Sequence, residues 1–414
     1  MASTEEPAEL RTVFISSLLD DERLPFQAPT LVYGQAHYSW KLIAKLYSEG
    51  LARSGLHITN IARPEIYQDP IAQDILRVCK NDIHIAAKPV EHLRPFYGLK
   101  NLFVCGWEFP ELFRGNFELS PFCDQLAVLS RADRVLCWTD FTRNNLHAVG
   151  IKQAFTLPPP ILPTVPSGDA NVLAMPSVFL NSADNSRECN VLSFGQVMNR
   201  SPKNVLLAVL NPFDKRKRID TLIEGARRAR SEGSDFLLVI KLVIDGKQTT
   251  ISNINEILQS HYGYREKSDS ILFCAGELDD PSMAALRARS DFHISAPSAE
   301  GLNLPLVEAA LQDIPIITAR NTAMASYLGP NDAVWIDCTA ETADDSVNIF
   351  AKYADFTHFP PTPDAIAMAI CTALSLSPGE RRELAQRGRI AVETQFGQAC
   401  FDSGFRSIAK DILT

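Results

Sequence analysis

The sequence predicts an α/β protein made of two doubly wound domains joined by a proline-rich linker. Three observations predict this. Short apolar runs of strand length alternate with stretches of helical period along most of the chain, the pattern of βαβ units and parallel sheets. The alternation breaks once, around Pro158-Pro159-Pro160, Pro163, Pro166 and Pro176, residues that continue neither a sheet nor a helix. The 414 residues exceed one ordinary core and suit two domains of about 200 residues each.

Taken in order, Arg11–Ser16 is the first apolar run, and a polar stretch leads from it to the glycine-bounded segment Tyr33–His37. Trp40, Leu42, Ile43, Leu46, Tyr47 and Leu51 then follow helical spacing. His57–Ile61, Ile83–Ala87, Leu102–Cys105 and Arg134–Trp138 read as strands, with a helix-like stretch at Ile71–Cys79. Beyond the linker, Val205–Leu210, Phe236–Val243, Ile271–Ala275, Phe292–Ser295, Ile314–Thr318 and Ala333–Ile336 read as strands. Asp220–Ser231, Ile254–Ser260, Met283–Ala288 and Leu304–Leu311 read as helices between them, and a helical tail runs from Pro363 to Leu413. The expected domains are 1–165 and 191–399, with the linker at 166–190.

Forty basic residues stand against 49 acidic ones, a net charge of −9, which argues against a nucleic-acid partner because that needs a basic face. No run of about 18 apolar residues exists, so no membrane-spanning helix is expected. The acidic, polar opening MASTEEPAELRT is not a secretory signal. Nine cysteines, an odd number without a CxxC, read as reduced and mostly buried thiols of a cytoplasmic protein with no structural zinc.

The chemistry concentrates in Ser290–Ala309. An apolar strand ends in Ala296-Pro297-Ser298, then come Glu300 and Gly301, then a helix start with Asn303 as N-cap and Pro305 in its first turn. A helix that begins at a strand's carboxyl end offers N–H groups to an anion such as a diphosphate. Glu300 lies before the helix and Glu308 about one turn inside it, with seven residues between them. Either carboxylate alone reads as well as a solvated helix-terminus acid. As a pair in this context they suit two sets of sugar hydroxyls flanking a phosphate.

Here the sequence resembles a family. Glu300 and Glu308 match the E-x7-E signature of retaining GT-B glycosyltransferases of the group 1 (GT4) family. Gly276-Glu277-Leu278, Leu286, Ser290-Asp291 and Pro297-Ser298 resemble the run leading into that signature. Gln312–Ile317 resembles the strand after it, with Asp313 where the family usually has Gly. The resemblance covers about Val205 to Ile336 well and the N-terminal half weakly. It implies two Rossmann-like domains facing across a cleft, with the nucleotide-diphosphate sugar on the second and the acceptor on the first. The segment from about 400 to 414, with Phe401, Phe405, Ile408 and Ile412 at helical spacing, would pack back on the first domain.

The resemblance also assigns roles. Glu308 would hold the ribose hydroxyls and Glu300 the sugar hydroxyls, with Gly301, Leu302, Asn303 and Leu304 packed on the donor and Gly276 near the base. Lys217 occupies the family's lysine position for the diphosphate. Asn211 stands where many members have arginine, so Arg216, or else Lys215, would supply that charge. Four cations in a row within an acidic domain need a polyanion or neighbouring acids as company. In the first domain Gly34 and Gln35 form a loop before a helix, and Trp107 and Glu108 follow the strand Leu102–Cys105. They suit sugar stacking and acceptor hydroxyls, and equally a turn, a core Trp and a surface Glu. His37 and His293 read as structural. The family's N-domain histidine is not placed in the sequence, and whether Glu108, near the position it would take, replaces it is open.

The expected activity is retaining sugar transfer to a hydroxyl of a glycan or glycolipid acceptor, in polysaccharide or O-antigen-type assembly. It would need no metal and no resident cofactor, and would take place in the cytoplasm or at the inner face of the membrane. A non-catalytic scaffold or nucleotide-sugar sensor, and a GT-B phosphorylase or epimerase, are the competing readings. Donor base, acceptor and oligomeric state are open at this point.

Overall fold

The chain is described from a computed structural model, over residues 10, 12–17, 36–115, 121–167, 169–179, 192–199, 204–243, 268, 270–276 and 278–414. The loop of Gly34 and Gln35, the helix expected at Ile254–Ser260, and Glu277 lie outside the described residues. The chain divides into two units, one of residues 1–161, 348–356 and 394–414 and the other of residues 162–347 and 357–393.

In the first unit, β1 (Thr12–Ser17), β2 (His57–Ile61), β3 (Ile83–Ala87), β4 (Lys100–Cys105), β5 (Arg134–Cys137) and β6 (Ala154–Thr156) form one parallel sheet, ordered β2-β1-β3-β4-β5-β6. Its central strands are buried and mostly apolar because helices cover both faces of such a sheet. Helix Ala36–Arg53 buries Ile43, Ala44, Tyr47 and Leu51, and the C-terminal helix Gln398–Leu413 buries Phe401, Phe405, Ile408 and Ile412. The two helices meet where Tyr47 and Phe401 stack edge to face, 5.9 Å apart. A polar triad lies inside the sheet: Ser16 Oγ bonds His84 Nε2 at 2.9 Å, and His84 Nδ1 bonds Asn101 Oδ1 at 2.8 Å.

The second unit holds an eight-stranded sheet of β7 (Pro176–Phe179), β8 (Leu192–Ser193), β9 (Val205–Leu210), β10 (Leu237–Leu242), β11 (Ile271–Cys274), β12 (Phe292–Ser295), β13 (Ile316–Ala319) and β14 (Val334–Ile336). Its order is β14-β13-β12-β9-β10-β11-β7-β8, parallel except where β7 and β8 add antiparallel at one edge. One expectation changes here. Part of the stretch expected to be a linker is structured, as helix Asp169–Ala174 and strand β7. Pro176 is tolerated because it opens its strand near the sheet edge, where a missing N–H costs little. The strand order also fixes where a ligand belongs. From β9 the chain builds outward through β10 to β11, then returns to place β12 on the other side of β9. The β9/β12 junction is therefore the topological switch point, where the loops at the carboxyl ends diverge and leave a crevice.

One face of this sheet is covered by helices Ile219–Ser231 and Pro363–Ser375, which cross at Gly225. A Cβ there would stand 2.6 Å from Ile366 and 3.0 Å from the Pro363 carbonyl. Gly225→Ala is therefore expected to destabilise despite the better helix propensity, by about 1–2 kcal/mol net. That corresponds to a melting midpoint lowered by roughly 2–8 °C. Gly379→Ala is the matched control, because its Cβ meets only Ser377 Oγ at 3.9 Å, and it should leave the midpoint unchanged or slightly raised. Equal midpoints for the two variants would contradict this packing.

The eight described cysteines are unbonded, and burial pushes the Cys105 and Cys274 thiols up to about 12, where they are inert. No described helix is long and apolar enough to cross a membrane.

Candidate functional site

Two loops build the site at the switch point. The first, 211–218, leaves β9. Asn211 Oδ1 accepts the Phe213 N–H at 2.9 Å and closes a turn. Asp214 then caps the 3₁₀ turn Lys215–Lys217, accepting the Arg216 N–H at 3.1 Å. The Arg216 guanidinium returns to the same carboxylate, Nε to Oδ1 at 3.0 Å and Nη2 to Oδ2 at 2.8 Å. Burial alone would push the Asp214 carboxyl up. Arg216 and Lys217 outweigh it and hold the group below the usual carboxylate range.

The second loop, 296–303, leaves β12. The Ser298 N–H donates to the Arg216 carbonyl at 2.8 Å and stitches the two loops together. The Glu300 N–H donates to Thr322 Oγ1 at 2.9 Å, and the Glu300 carbonyl accepts the Ala323 N–H at 3.2 Å. Thr322 in turn donates to Asn321 Oδ1, whose amide reaches the carbonyls of Pro297 (2.8 Å) and Phe359 (3.0 Å). Glu300 is thus held from behind by a buried polar relay, and its side chain is 8% exposed. Lys217 Nζ pairs with Glu300 Oε1. Lys217, Glu300 and Asn303 line one small pocket with Leu210, Ser295 and Ala296 from the ends of β9 and β12.

Backbone conformation marks the same place. Five described non-glycine residues have positive φ, and three of them, Arg218 (50°), Asn303 (68°) and Thr322 (34°), lie in the segments just described. Such conformations cost about 1–3 kcal/mol each and persist where surrounding contacts impose them.

Asn303 sits at the N-cap position of helix Leu304–Ala310 without capping it. Its left-handed backbone turns the amide away, and Nδ2 donates to Ser295 Oγ at 3.0 Å. This corrects the expectation of a side-chain cap. Pro305 lies in the first turn, as the sequence indicates. Leu302 is buried, with its carbonyl accepting the Tyr327 hydroxyl at 2.9 Å.

Glu308, on the helix after this loop, pairs through Oε2 with Arg287 of helix Asp280–Arg287. Burial raises its carboxyl above the ordinary value, with Asp280 adding to the rise and Arg287 opposing it. Gly276 (φ 102°) follows β11, and its carbonyl accepts the buried Lys241 ammonium at 2.7 Å. His293 lies in β12, buried, with neither ring nitrogen hydrogen-bonded.

The members of the expected cation set differ in their contacts. Arg216 is spent on Asp214, and Asn211 on its own turn, so Lys217 is the basic side chain brought to Glu300. The neighbouring acids, Asp214 and Glu300, are company for the basic run. In the first unit, Trp107 belongs to an aromatic cluster with Phe109, Phe350 and Phe356, and its Nε1–H donates to the Glu111 carbonyl at 2.6 Å. Its ring is partly buried against the core of that unit. Arg287, Asn321 and Thr322 are the residues that sequence reasoning passed over. Arg287 left one signal, because it stands four residues after Met283 on the apolar stripe of its helix. Among the described residues, no group of three or more His, Cys, Asp and Glu side chains could hold a metal.

No family model and no curated protein matches the chain. Solved structures do. Sucrose-phosphate synthase from Thermosynechococcus elongatus superposes with a TM-score of 0.58 at 15% identity, over 97% of this chain and 99% of that one. A glycosyltransferase from Rickettsia africae gives 0.57 at 12% identity, over 98% and 100%. A point mutant of S. aureus TarM, in complex with fondaparinux, α-GlcNAc-glycerol and UDP, gives 0.50 at 12%. There 80% of this chain is covered, and the chain spans 55% of TarM's length. At these identities the likeness is one of fold. The two parallel α/β units, with a switch-point site on the second, have the GT-B fold of these glycosyltransferase structures.

Proposed function

We propose that this chain is a retaining glycosyltransferase of the group 1 (GT4) type, moving a sugar from a nucleotide-diphosphate sugar to a hydroxyl of a glycan or glycolipid. The observation that carries the reading is the pairing of Lys217 with Glu300 at the β9/β12 switch point, with Glu308 on the helix that follows the same loop. Lys217 leaves Glu300 for the donor diphosphate, which frees the Glu300 carboxylate to accept the sugar hydroxyls. Glu308 accepts the ribose hydroxyls.

In the transfer, the bond between the anomeric carbon and the diphosphate oxygen breaks, and the acceptor oxygen bonds to that carbon on the same face. The acceptor proton passes to a phosphate oxygen of the leaving nucleotide. Negative charge grows on the diphosphate, and an ammonium already placed beside it once the donor is bound lowers the barrier because it need not reorganise during the transfer. In this reading the chain's own cation meets that charge without a metal. The UDP in the TarM complex makes UDP the first nucleotide to test. A role in polysaccharide or O-antigen-type assembly at the inner face of the membrane, with the acceptor on the first unit, extends the same proposal.

A nucleotide-sugar sensor is the second reading, favoured by the engagement of Arg216 with Asp214, which leaves fewer cations for catalysis. Thermal unfolding with UDP, GDP and ADP, and with their sugar conjugates, tests the donor site. A ligand at 100 times its dissociation constant stabilises by about 2.7 kcal/mol. One nucleotide should raise the midpoint of the wild type by several degrees and leave Glu308→Ala unmoved. No rise with any of them would overturn the donor assignment. A rise without sugar release or transfer would favour the sensor.

A further inference from the structure

Resting on the donor-site reading above, we infer that Arg287 is a positioning residue for nucleotide recognition: it fixes the Glu308 carboxylate that receives the ribose hydroxyls. Three cations are buried among the described residues, Lys88, Lys241 and Arg287, and Arg287 is the arginine among them. Its side chain is 6% exposed, whereas that of its partner Glu308 is 30% exposed. The geometry is directional. A buried guanidinium reaches from one helix to Oε2 of a partly exposed carboxylate on the next, and Oε1 is left to a ligand.

The grip has two points. Nη2 holds Glu308 Oε2, and Nη1 donates to Gln312 Oε1 at 3.3 Å, one turn further along from Glu308. Gln312 is tied by its own amide to the carbonyls of Ala284 and Thr164, both at 3.4 Å. A planar fork served by two acceptors has little freedom, so the carboxylate it holds has little either. An unheld glutamate would have to order its side chain at each binding event, which weakens affinity by about tenfold. Oε1 and the second lone pair of Oε2 remain for a pair of hydroxyls. Arg287 Nε and both nitrogens of buried His293 have no hydrogen-bond partner.

The test is isothermal titration of UDP, GDP and ADP, each against its 2′-deoxy form, on the wild type, Glu308→Gln, Arg287→Gln and Arg287→Lys. The wild type should prefer the ribonucleotide by about tenfold or more, as a site built around a hydroxyl does. That preference should collapse towards unity in Glu308→Gln and in Arg287→Gln. It should be partly restored in Arg287→Lys, which keeps the charge and loses the two-point fork. An unchanged preference in Arg287→Gln would overturn the inference while the donor site stands. Should Arg287→Gln fail to fold, Arg287→Lys decides alone, because a preference equal to the wild type's would overturn the inference. A wild type that binds none of the nucleotides would overturn the donor-site reading and this inference together.

Discussion

Lys217→Ala is expected to lower kcat for sugar transfer by about 10²–10³-fold, the range seen when one preorganised group facing developing charge is removed. Lys217 is the basic side chain that the two loops bring to Glu300, since Arg216 is already engaged twice by Asp214. KM for the donor should rise less than kcat falls. The charge on the diphosphate is larger in the transition state than in the bound donor, so the lost interaction belongs mainly to the transition state. The same substitution leaves Glu300 without its cation. Both side chains are mostly buried, at 22% and 8% exposure, and removing one partner of such a pair costs about 3 kcal/mol. Melting must therefore be measured beside kinetics. Lys217→Arg separates the two effects: it restores the ion pair and most of the stability, while its different reach restores kcat only in part. If Lys217→Ala folds and turns over within about threefold of the wild type, the assignment of the diphosphate to this lysine is wrong.

The strands were legible because a parallel sheet covered on both faces is mostly apolar along its length, and runs such as Val205–Leu210 and Ile271–Cys274 can be little else. Glu300 and Glu308 were legible for a related reason. Their spacing, the proline and the glycine sit in a contiguous stretch, so a single strand–loop–helix unit carries the pattern. What joins distant segments was not legible. Ser298 meets the Arg216 carbonyl across 82 positions, and Glu300 meets Lys217 across 83. No local pattern specifies either contact. The same limit explains Arg216, whose side chain looks available in the sequence and is claimed by Asp214 two residues before it. It explains Asn303 as well. The residue type suits a cap, and the cap is lost because the loop turns through a left-handed conformation at that point. Trp107 shows the limit most plainly, because the ring it packs against, Phe356, arrives from a distant later segment that joins the first unit. The linker was misread for a different reason. Prolines forbid the middle of a central strand and are tolerated at a strand's first residue, as at Pro176, and composition alone does not tell which is being formed.

Mild acid should destabilise both units, and two fully buried histidines, one in each unit, contribute to the expected loss. His84 is held neutral by its partners. Asn101 turns its amide nitrogen to the carbonyls of Phe96 and Leu99, so its oxygen faces His84 Nδ1, which must donate, and Nε2 accepts from Ser16. Burial lowers the ring to about 4, and the Asn101 bond opposes that only in part. His293 has no partner, and burial, with the charge of Arg287 behind it, lowers the ring to about 3. Both values lie below the ordinary 6.5. As pH falls from about 6.5, the unfolded chain takes up these protons and the folded chain does not, so stability falls with them. By pH 4 each ring accounts for about 3 kcal/mol. The two histidines should then respond in opposite ways to removal. His293→Leu deletes two unpartnered polar atoms and should be neutral or stabilising at pH 7, with the acid loss of the second unit reduced by about 3 kcal/mol. His84→Leu strands Ser16 and Asn101 and should cost about 1–3 kcal/mol at pH 7 before any acid is added. Hydrogen exchange read on β12 and β3 peptides between pH 7 and pH 4 follows each unit separately, which a single melting curve cannot do for a chain of two units. An acid response in His293→Leu as steep as the wild type's would show that the buried ring is already protonated in the fold, or that other groups govern the loss.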